Sequence, residues 1–185
     1  MKKLSYLLIK INLIFFLLMF QAKSETFYYS GGCFWSTEED FEEFKGVKEV
    51  ISGFTGGTTP TPKYYPNQWG DHREAAKVIY DPNKVSFAEL VKHVFNTVDY
   101  EDSDGQFCDR GHSYSPAIYF KNNKQKKIIN DIAPKNSKVA VEKETKFYPV
   151  RDEHQNFYKK NSLKYYLYKT ACGREKRLKQ LKKVN

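Results

Sequence analysis

Cysteine is scarce in this chain. Cys33, Cys108 and Cys172 are the only three in 185 residues; they are far apart in sequence and form no CxxC pair. An odd count argues against a pure disulfide scaffold and leaves at least one thiol free, transient or reactive. Internal repeats and low-complexity linkers are also missing. Metal ligands are thin: Asp102-Ser103-Asp104-Gly105 has the start of a calcium loop, but the remaining spaced oxygen ligands and the closing Glu are absent, which argues against a metal site. Aromatics, by contrast, are plentiful, with 14 Tyr, 14 Phe and 2 Trp.

The first two dozen residues stand apart from the rest. Lys2 and Lys3 form a positive start, Leu4 to Phe20 is mostly apolar, and Ala22-Lys23-Ser24 is a small-x-small pattern. Together these read as a secretory signal peptide over residues 1–24. The length almost suits an uncleaved anchor, but Lys10 interrupts the run and the cleavage pattern is present. No cysteine lies there, so a lipoprotein is not indicated. The expectation is an exported, periplasmic or secreted bacterial protein that meets the membrane only through this leader. Residues 25–185 suit a single domain able to bury its own core.

Loss of Lys2, Lys3, Lys10 and Lys23 lowers the formal net charge of +9 by four. Much of the remaining excess lies in Arg174-Glu175-Lys176-Arg177-Leu178-Lys179-Gln180-Leu181-Lys182-Lys183. No aromatic stacking pattern is interleaved there. The stretch reads as a solvated helix face with Leu178 and Leu181 turned inward, and not as a nucleic-acid surface.

Strand-like and helix-like pieces alternate. Strands are expected at Thr26–Ser30, Val47–Phe54, Glu74–Tyr80, Ala117–Lys121 and Val139–Phe147. Helices are expected at Ser36–Phe44, where Glu38, Glu39 and Asp40 complement the N-terminus, from Ser86 to about Val98 behind a capping box, at Asn123–Ile132, and in the basic C-terminus. No crossover helix separates Val47–Phe54 from Glu74–Tyr80. The pattern therefore predicts an α+β two-layer sandwich with a mixed, mainly antiparallel sheet.

The chemistry concentrates at Gly32-Cys33-Phe34-Trp35, where a strand turns into a helix. A thiol at a helix mouth faces free N–H groups and the positive dipole end, which predicts a lowered pKa and a nucleophilic thiolate. Trp35 lies off the helix stripe of Phe34 and Phe41, so it is expected to face the site as an aromatic wall suited to a methyl thioether. Glu74, at the start of its strand, is a general-acid candidate if burial raises its pKa, although a solvated strand-edge carboxylate is the commoner outcome. Tyr64, Tyr65 and Tyr114 offer hydroxyls for a polar oxygen. His154 could pair with Cys33 as a base; by default it is a surface helix histidine.

With these residues laid out, the mature chain resembles peptide methionine sulfoxide reductase A. The resemblance is carried, in order, by Gly32-Cys33-Phe34-Trp35; by Gly53-Phe54-Thr55-Gly56-Gly57 through Pro62-Lys63-Tyr64; by His72-Arg73-Glu74 with Val78-Ile79-Tyr80-Asp81-Pro82; by Asp109-Arg110-Gly111-His112-Ser113-Tyr114 with Ala117-Ile118-Tyr119; and by Phe147-Tyr148-Pro149 with His154-Gln155-Asn156-Phe157-Tyr158. It implies an α+β sandwich with a ferredoxin-like core, and an enzyme that reduces the S epimer of methionine sulfoxide, free or in proteins, repairing oxidative damage. It further implies Cys33 as nucleophile, Glu74 as acid, Tyr64 and Tyr114 on the sulfoxide oxygen, Phe34 and Trp35 around the methyl group, and Asp109 in support. Cys33 would become a sulfenic acid and then a disulfide, reset by a thioredoxin-like reductant in a monomer that needs no metal, flavin or nicotinamide.

The chain departs from many relatives in lacking a glycine-rich C-terminal tail with cysteines. Cys172, on a C-terminal segment (163–185) expected to be mobile, is taken as the resolving cysteine, with Cys108 as runner-up. The short spacing from Tyr64 to Glu74 points to an altered pocket rim. Two rival readings remain: a Cys33–His154 hydrolase or acyl transferase, and a non-enzymatic exported binding module.

Overall fold

The computed structural model describes residues 23–64 and 68–182. The expected leader, apart from its last two residues, and Tyr65 lie outside the described residues.

The first strand, β1 (Glu25–Ser30), runs straight into α1 (Phe34–Glu42). A hairpin of β2 (Val47–Thr55) and β3 (Arg73–Tyr80) follows, then α2 (Phe87–Thr97). The small hairpin β4 (Gly105–Gln106) and β5 (Asp109–Arg110) precedes a 3-10 turn at His112–Tyr114. β6 (Ala117–Phe120), α3 (Asn123–Ile132), β7 (Ala140–Lys143) and β8 (Tyr148–Pro149) come next. The chain closes with α4 (Phe157–Lys160), α5 (Ser162–Ala171) and α6 (Arg174–Leu181). The main sheet has the order β7-β6-β1-β3-β2-β8, antiparallel except for the β6–β7 pair. Its centre, β6-β1-β3-β2, is built by a β-α-β-β-α-β run, which is the ferredoxin-like arrangement.

Alternation along β1 produces the two layers. Phe27 and Tyr29 face the helices and pack with Phe41, Leu90, Val91, Val94, Ile129 and Leu181. Tyr28 points to the other face, where Ala117, Tyr119 and Phe147 cover it. α2 begins with a full capping box: the Ser86 hydroxyl accepts the Glu89 N–H, and the Glu89 carboxylate accepts the Ser86 N–H.

Several sequence expectations need correction. α1 begins at Phe34, directly after Cys33, and not at Ser36. Glu38, Glu39 and Asp40 do not serve the helix N-terminus. Glu38 is fully buried, Glu39 pairs with Lys169 at 2.7 Å, and Asp40 pairs with Arg174 at 2.5 Å. The expected strand Val139–Phe147 is paired only over Ala140–Lys143. Thr145 then leaves the β6 edge to reach Thr55 and Gly56, and β8 pairs with β2 at the opposite edge. The C-terminal segment is packed: Leu178 and Leu181 meet the core as expected, and Tyr165 and Arg174 are buried as well.

Candidate active site

Antiparallel pairing sets the geometry. β1 and β3 run in opposite directions, so the chain leaving β1 at Ser30 lies beside the residues entering β3 at Arg73 and Glu74. Gly32 makes the turn with φ +93°, and a Cβ there would lie 2.8 Å from the Gln106 Cβ. A side chain at this position would meet both backbone strain and a clash. Cys33 then caps α1, its carbonyl accepting the Ser36 and Thr37 N–H groups at 3.0 and 3.2 Å. Cys33 is the free thiol and is 8% exposed.

Glu74 is 1% exposed, and its Oε2 accepts the Phe34 N–H at 2.9 Å. That N–H belongs to the first turn of α1, so one helix end holds both the thiol and the carboxyl group. Burial pushes Glu74 up to about 8, against the Phe34 hydrogen bond and with a further push from Asp109. At neutral pH it carries a proton.

The helix mouth predicts a lowered Cys33 pKa, and the structure overturns this. Burial pushes the thiol well above its ordinary value, and the Glu74 and Asp109 carboxylates push the same way. The Trp35 N–H and the Tyr168 hydroxyl pull it down, but by less. Desolvation of a nearly closed site outweighs one helix end. The Glu74 contribution vanishes while Glu74 holds its proton, so the resting site stores a neutral acid beside a neutral thiol.

Asp109, on β5, accepts the Tyr168 hydroxyl on Oδ2 and is also hydrogen-bonded by the Cys33 backbone. Burial still raises its pKa. Phe34, Phe54 and Val150 form an apolar cluster with Cys33, edged by Trp35, Tyr64, Trp69, Tyr114 and Tyr168. Tyr114 is pushed upward by burial and by the charges of Glu74, Cys33 and Asp109, so its phenol remains a hydrogen-bond donor. Tyr64 lies 5.8 Å from the Phe34 ring and 4.1 Å from His154, centroid to centroid. Trp35 stacks on Phe157 at 3.7 Å and meets Tyr168 edge-on.

His154 is not the surface histidine that the sequence suggests. It is 6% exposed and packs on Phe34, Trp35 and Tyr64, and burial lowers its pKa. Cys33 is surrounded instead by Glu74, Asp109 and Tyr168. Asp102 of the calcium-loop fragment is paired with Arg110. Sequence reasoning missed Tyr168 and Trp69. For Tyr168 the only signal is the group Tyr165, Tyr166 and Tyr168, and nothing in the sequence says which of them faces inward.

Cys108 and Cys172 are joined in a disulfide, 64 residues apart in sequence and 4.7 Å apart at Cα. Cys108 is exposed. Cys172 is half-buried and lines a cleft of about 10 Å³ together with Cys33, Phe107, Asp109 and Tyr168. A hollow of about 300 Å³ opens beside Tyr64, Phe54 and Val150. A larger one of about 860 Å³, between Glu39, α5 and α6, does not include Cys33 and has no part in this chemistry.

Known proteins share the family pattern and the fold. The family model described as "Peptide methionine sulfoxide reductase" matches residues 25–185. "Peptide methionine sulfoxide reductase MsrA 2" of Rhizobium meliloti is 42% identical over 160 residues, covering 83% of this chain and 81% of that protein. Among solved structures, methionine sulfoxide reductase A of Corynebacterium diphtheriae superposes with a TM-score of 0.68 at 31% identity, over 78% of each chain. Mxr1 of Saccharomyces cerevisiae in reduced form also gives 0.68, at 25% identity over 77% of this chain and 88% of that one. The match spans every element that holds Cys33, Glu74 and the aromatic pocket, and this chain belongs to the peptide methionine sulfoxide reductase family.

Proposed function

We propose that the chain reduces the S epimer of methionine sulfoxide, free or within proteins, with Cys33 as the nucleophile and Glu74 as the acid. One observation carries this reading: a free thiol and a buried carboxyl group are held by the same helix end inside an aromatic cluster. The Cys33 sulfur attacks the sulfoxide sulfur while Glu74 delivers its proton to the oxygen. Methionine departs, Cys33 is left as a sulfenic acid, and the thiol proton replaces the one Glu74 gave up. Tyr64 and Tyr114 hold the oxygen, Phe34 and Trp35 enclose the methyl group, and Asp109 fixes the Cys33 backbone.

Recycling uses both remaining cysteines in order. Cys172 shares the cleft with Cys33, so its thiol condenses with the sulfenic acid, releasing water and forming Cys33–Cys172. Cys108 then attacks Cys172, expels the Cys33 thiol, and leaves the Cys108–Cys172 disulfide with its exposed sulfur facing outward. A dithiol donor of the thioredoxin type returns that pair to thiols; yeast Mxr1 has been solved in complex with Trx2. We assign residues 1–24 to a cleaved leader, which places this monomeric enzyme in an exported compartment where it repairs oxidised proteins.

The test is turnover on separate S and R epimers, free and in peptides, with dithiothreitol as reductant. Methionine from the S epimer alone supports the proposal. No methionine from either, with hydrolysis of esters or amides instead, would replace it with a Cys–His hydrolase.

A further inference from the structure

The buried carboxylate of Glu38 is used by nothing in the reaction described above, yet it is fully enclosed in α1 one turn after Cys33. Both its oxygens lie 2.9 Å from one donor, the backbone N–H of Asn156. Asn156 is itself in the left-handed region, φ 54° and ψ 34°. The preceding residue is clamped too: the Gln155 amide accepts the Ser52 N–H and donates to the carbonyls of Ser52 and Val150. Asn156 is therefore a strained turn held by the Glu38 side chain of α1 and, through the Gln155 amide, by the β2 backbone at Ser52.

The residues on either side of that turn build the pocket wall. His154 packs on Phe34, Trp35 and Tyr64, and Phe157 lies flat on the Trp35 indole, 3.7 Å between centroids with planes 8° apart. Trp35 follows the nucleophile by two residues, so its ring is set from behind by Phe157, and Phe157 is set by the bond from Asn156 to Glu38.

Resting on the proposed reduction at Cys33, we infer that Glu38 is a positioning residue for substrate recognition: it fixes the Trp35 wall through the Asn156 turn and thereby governs the fit of the methyl thioether, not the rate of oxygen removal. The sulfur, the acid and the Tyr114 hydroxyl are held by other contacts, and only Tyr64 touches this wall, through His154, so the chemical step does not run through Glu38. A neutral amide keeps the function, since the oxygen of Gln accepts the same N–H and burial already brings Glu38 up to about 7.

The experiment measures KM and the single-turnover rate at saturation for methionine S-sulfoxide in wild type, Glu38→Ala, Glu38→Gln and Phe157→Leu. Glu38→Ala raises KM roughly tenfold with the saturated rate within about twofold, as loss of a buried hydrogen bond that acts through one wall would do. Glu38→Gln stays close to wild type. Phe157→Leu raises KM similarly, and its effect does not add to that of Glu38→Ala. If Glu38→Ala does not fold, the inference stands or falls on Phe157→Leu and Glu38→Gln: an unchanged KM in the first, or a raised KM in the second, overturns it. A lowered Tm with unchanged KM in Glu38→Ala likewise reduces Glu38 to a structural group. A wild type that reduces no sulfoxide defeats the proposed function itself, a result distinct from each of these.

Discussion

The two cysteine sites of this molecule are built in opposite ways. Cys33 and Glu74 sit at the ends of the two central strands, both nearly solvent-free, held by backbone hydrogen bonds and ring contacts. Cys108 and Cys172 lie between a two-residue hairpin and the end of a helix, and one of them is exposed. A centre that must control where a proton sits needs low dielectric and fixed geometry. A centre that must meet another protein needs an accessible sulfur and a segment able to move.

The sharpest way to break this comparison is to remove the inner thiol. Cys33→Ser abolishes methionine formation while the fold and the Cys108–Cys172 pair persist, measured by product assay and mass mapping. Methionine production by this variant would transfer the chemistry to the outer pair. Glu74→Gln comes next. The saturated reductive step slows roughly 10²- to 10⁴-fold with substrate still bound, since an amide has no proton to give. Near-normal turnover would remove Glu74 from its role.

The same variant makes a signed stability prediction. The Glu74 carboxyl group is raised from 4.5 to about 8 in the fold. The native state therefore holds this proton more tightly than the unfolded state, and stability is lost as pH rises from about 4.5 towards 8. The Tm of Glu74→Gln relative to wild type thus climbs across that window and levels off above it, while at pH 4 the difference is flat. A Tm difference independent of pH contradicts the buried, protonated acid.

Cysteine variants separate the steps of recycling. Cys172→Ser and Cys108→Ser both keep the first turnover and lose sustained turnover with a thioredoxin-type donor. They differ in what accumulates: a Cys33 sulfenic acid in the first and a Cys33–Cys172 disulfide in the second, both readable by mass spectrometry. A Cys33–Cys108 bond in Cys172→Ser, formed at the rate of the normal first disulfide, would reverse the order proposed here.

The inner centre was largely legible in the sequence because its signals are local. Two glycines before Cys33 mark the strand-to-helix turn; Glu74 read from its spacing as a solvated strand-edge carboxylate, and only the resemblance assigned it to the site before the β1–β3 register showed it beside Cys33. The α+β sandwich with a mainly antiparallel sheet follows from the alternation of strands and helices, whereas the ferredoxin-like core was implied by the family resemblance. What escaped depends on partners far along the chain. Glu38 reads as a helix-end charge, but its partner Asn156 is 118 residues away. Arg174 reads as one more cation in a solvated run, yet it is buried against Asp40, 134 residues away. The Cys33 pKa was misjudged for a related reason: the helix end is visible in sequence, whereas the burial that outweighs it comes from residues far along the chain that enclose the sulfur.

Tyr168 supplies the smallest predicted effect and the one that joins the two centres. It sits on α5, four residues before Cys172, and its hydroxyl reaches both the Cys33 sulfur and the Asp109 carboxylate. The Cys108–Cys172 bond therefore ties the helix carrying Tyr168 down over the inner thiol, leaving the cleft of about 10 Å³. Reduction of the outer pair is expected to loosen that helix end, although Lys169 and Arg174 still pair with Glu39 and Asp40. A small alkylating agent at neutral pH should modify Cys33 more slowly in the disulfide form than in the fully reduced form, because burial in the first both closes access to the sulfur and keeps its pKa high. Tyr168→Phe keeps the ring over the sulfur but removes the hydroxyl, so it shifts alkylation of the reduced protein only by roughly two- to fivefold, the scale of one lost hydrogen bond. Equal alkylation rates in the two redox forms would mean that the outer disulfide exerts no hold on the inner site, and the two centres would then communicate only through the thiol exchange itself.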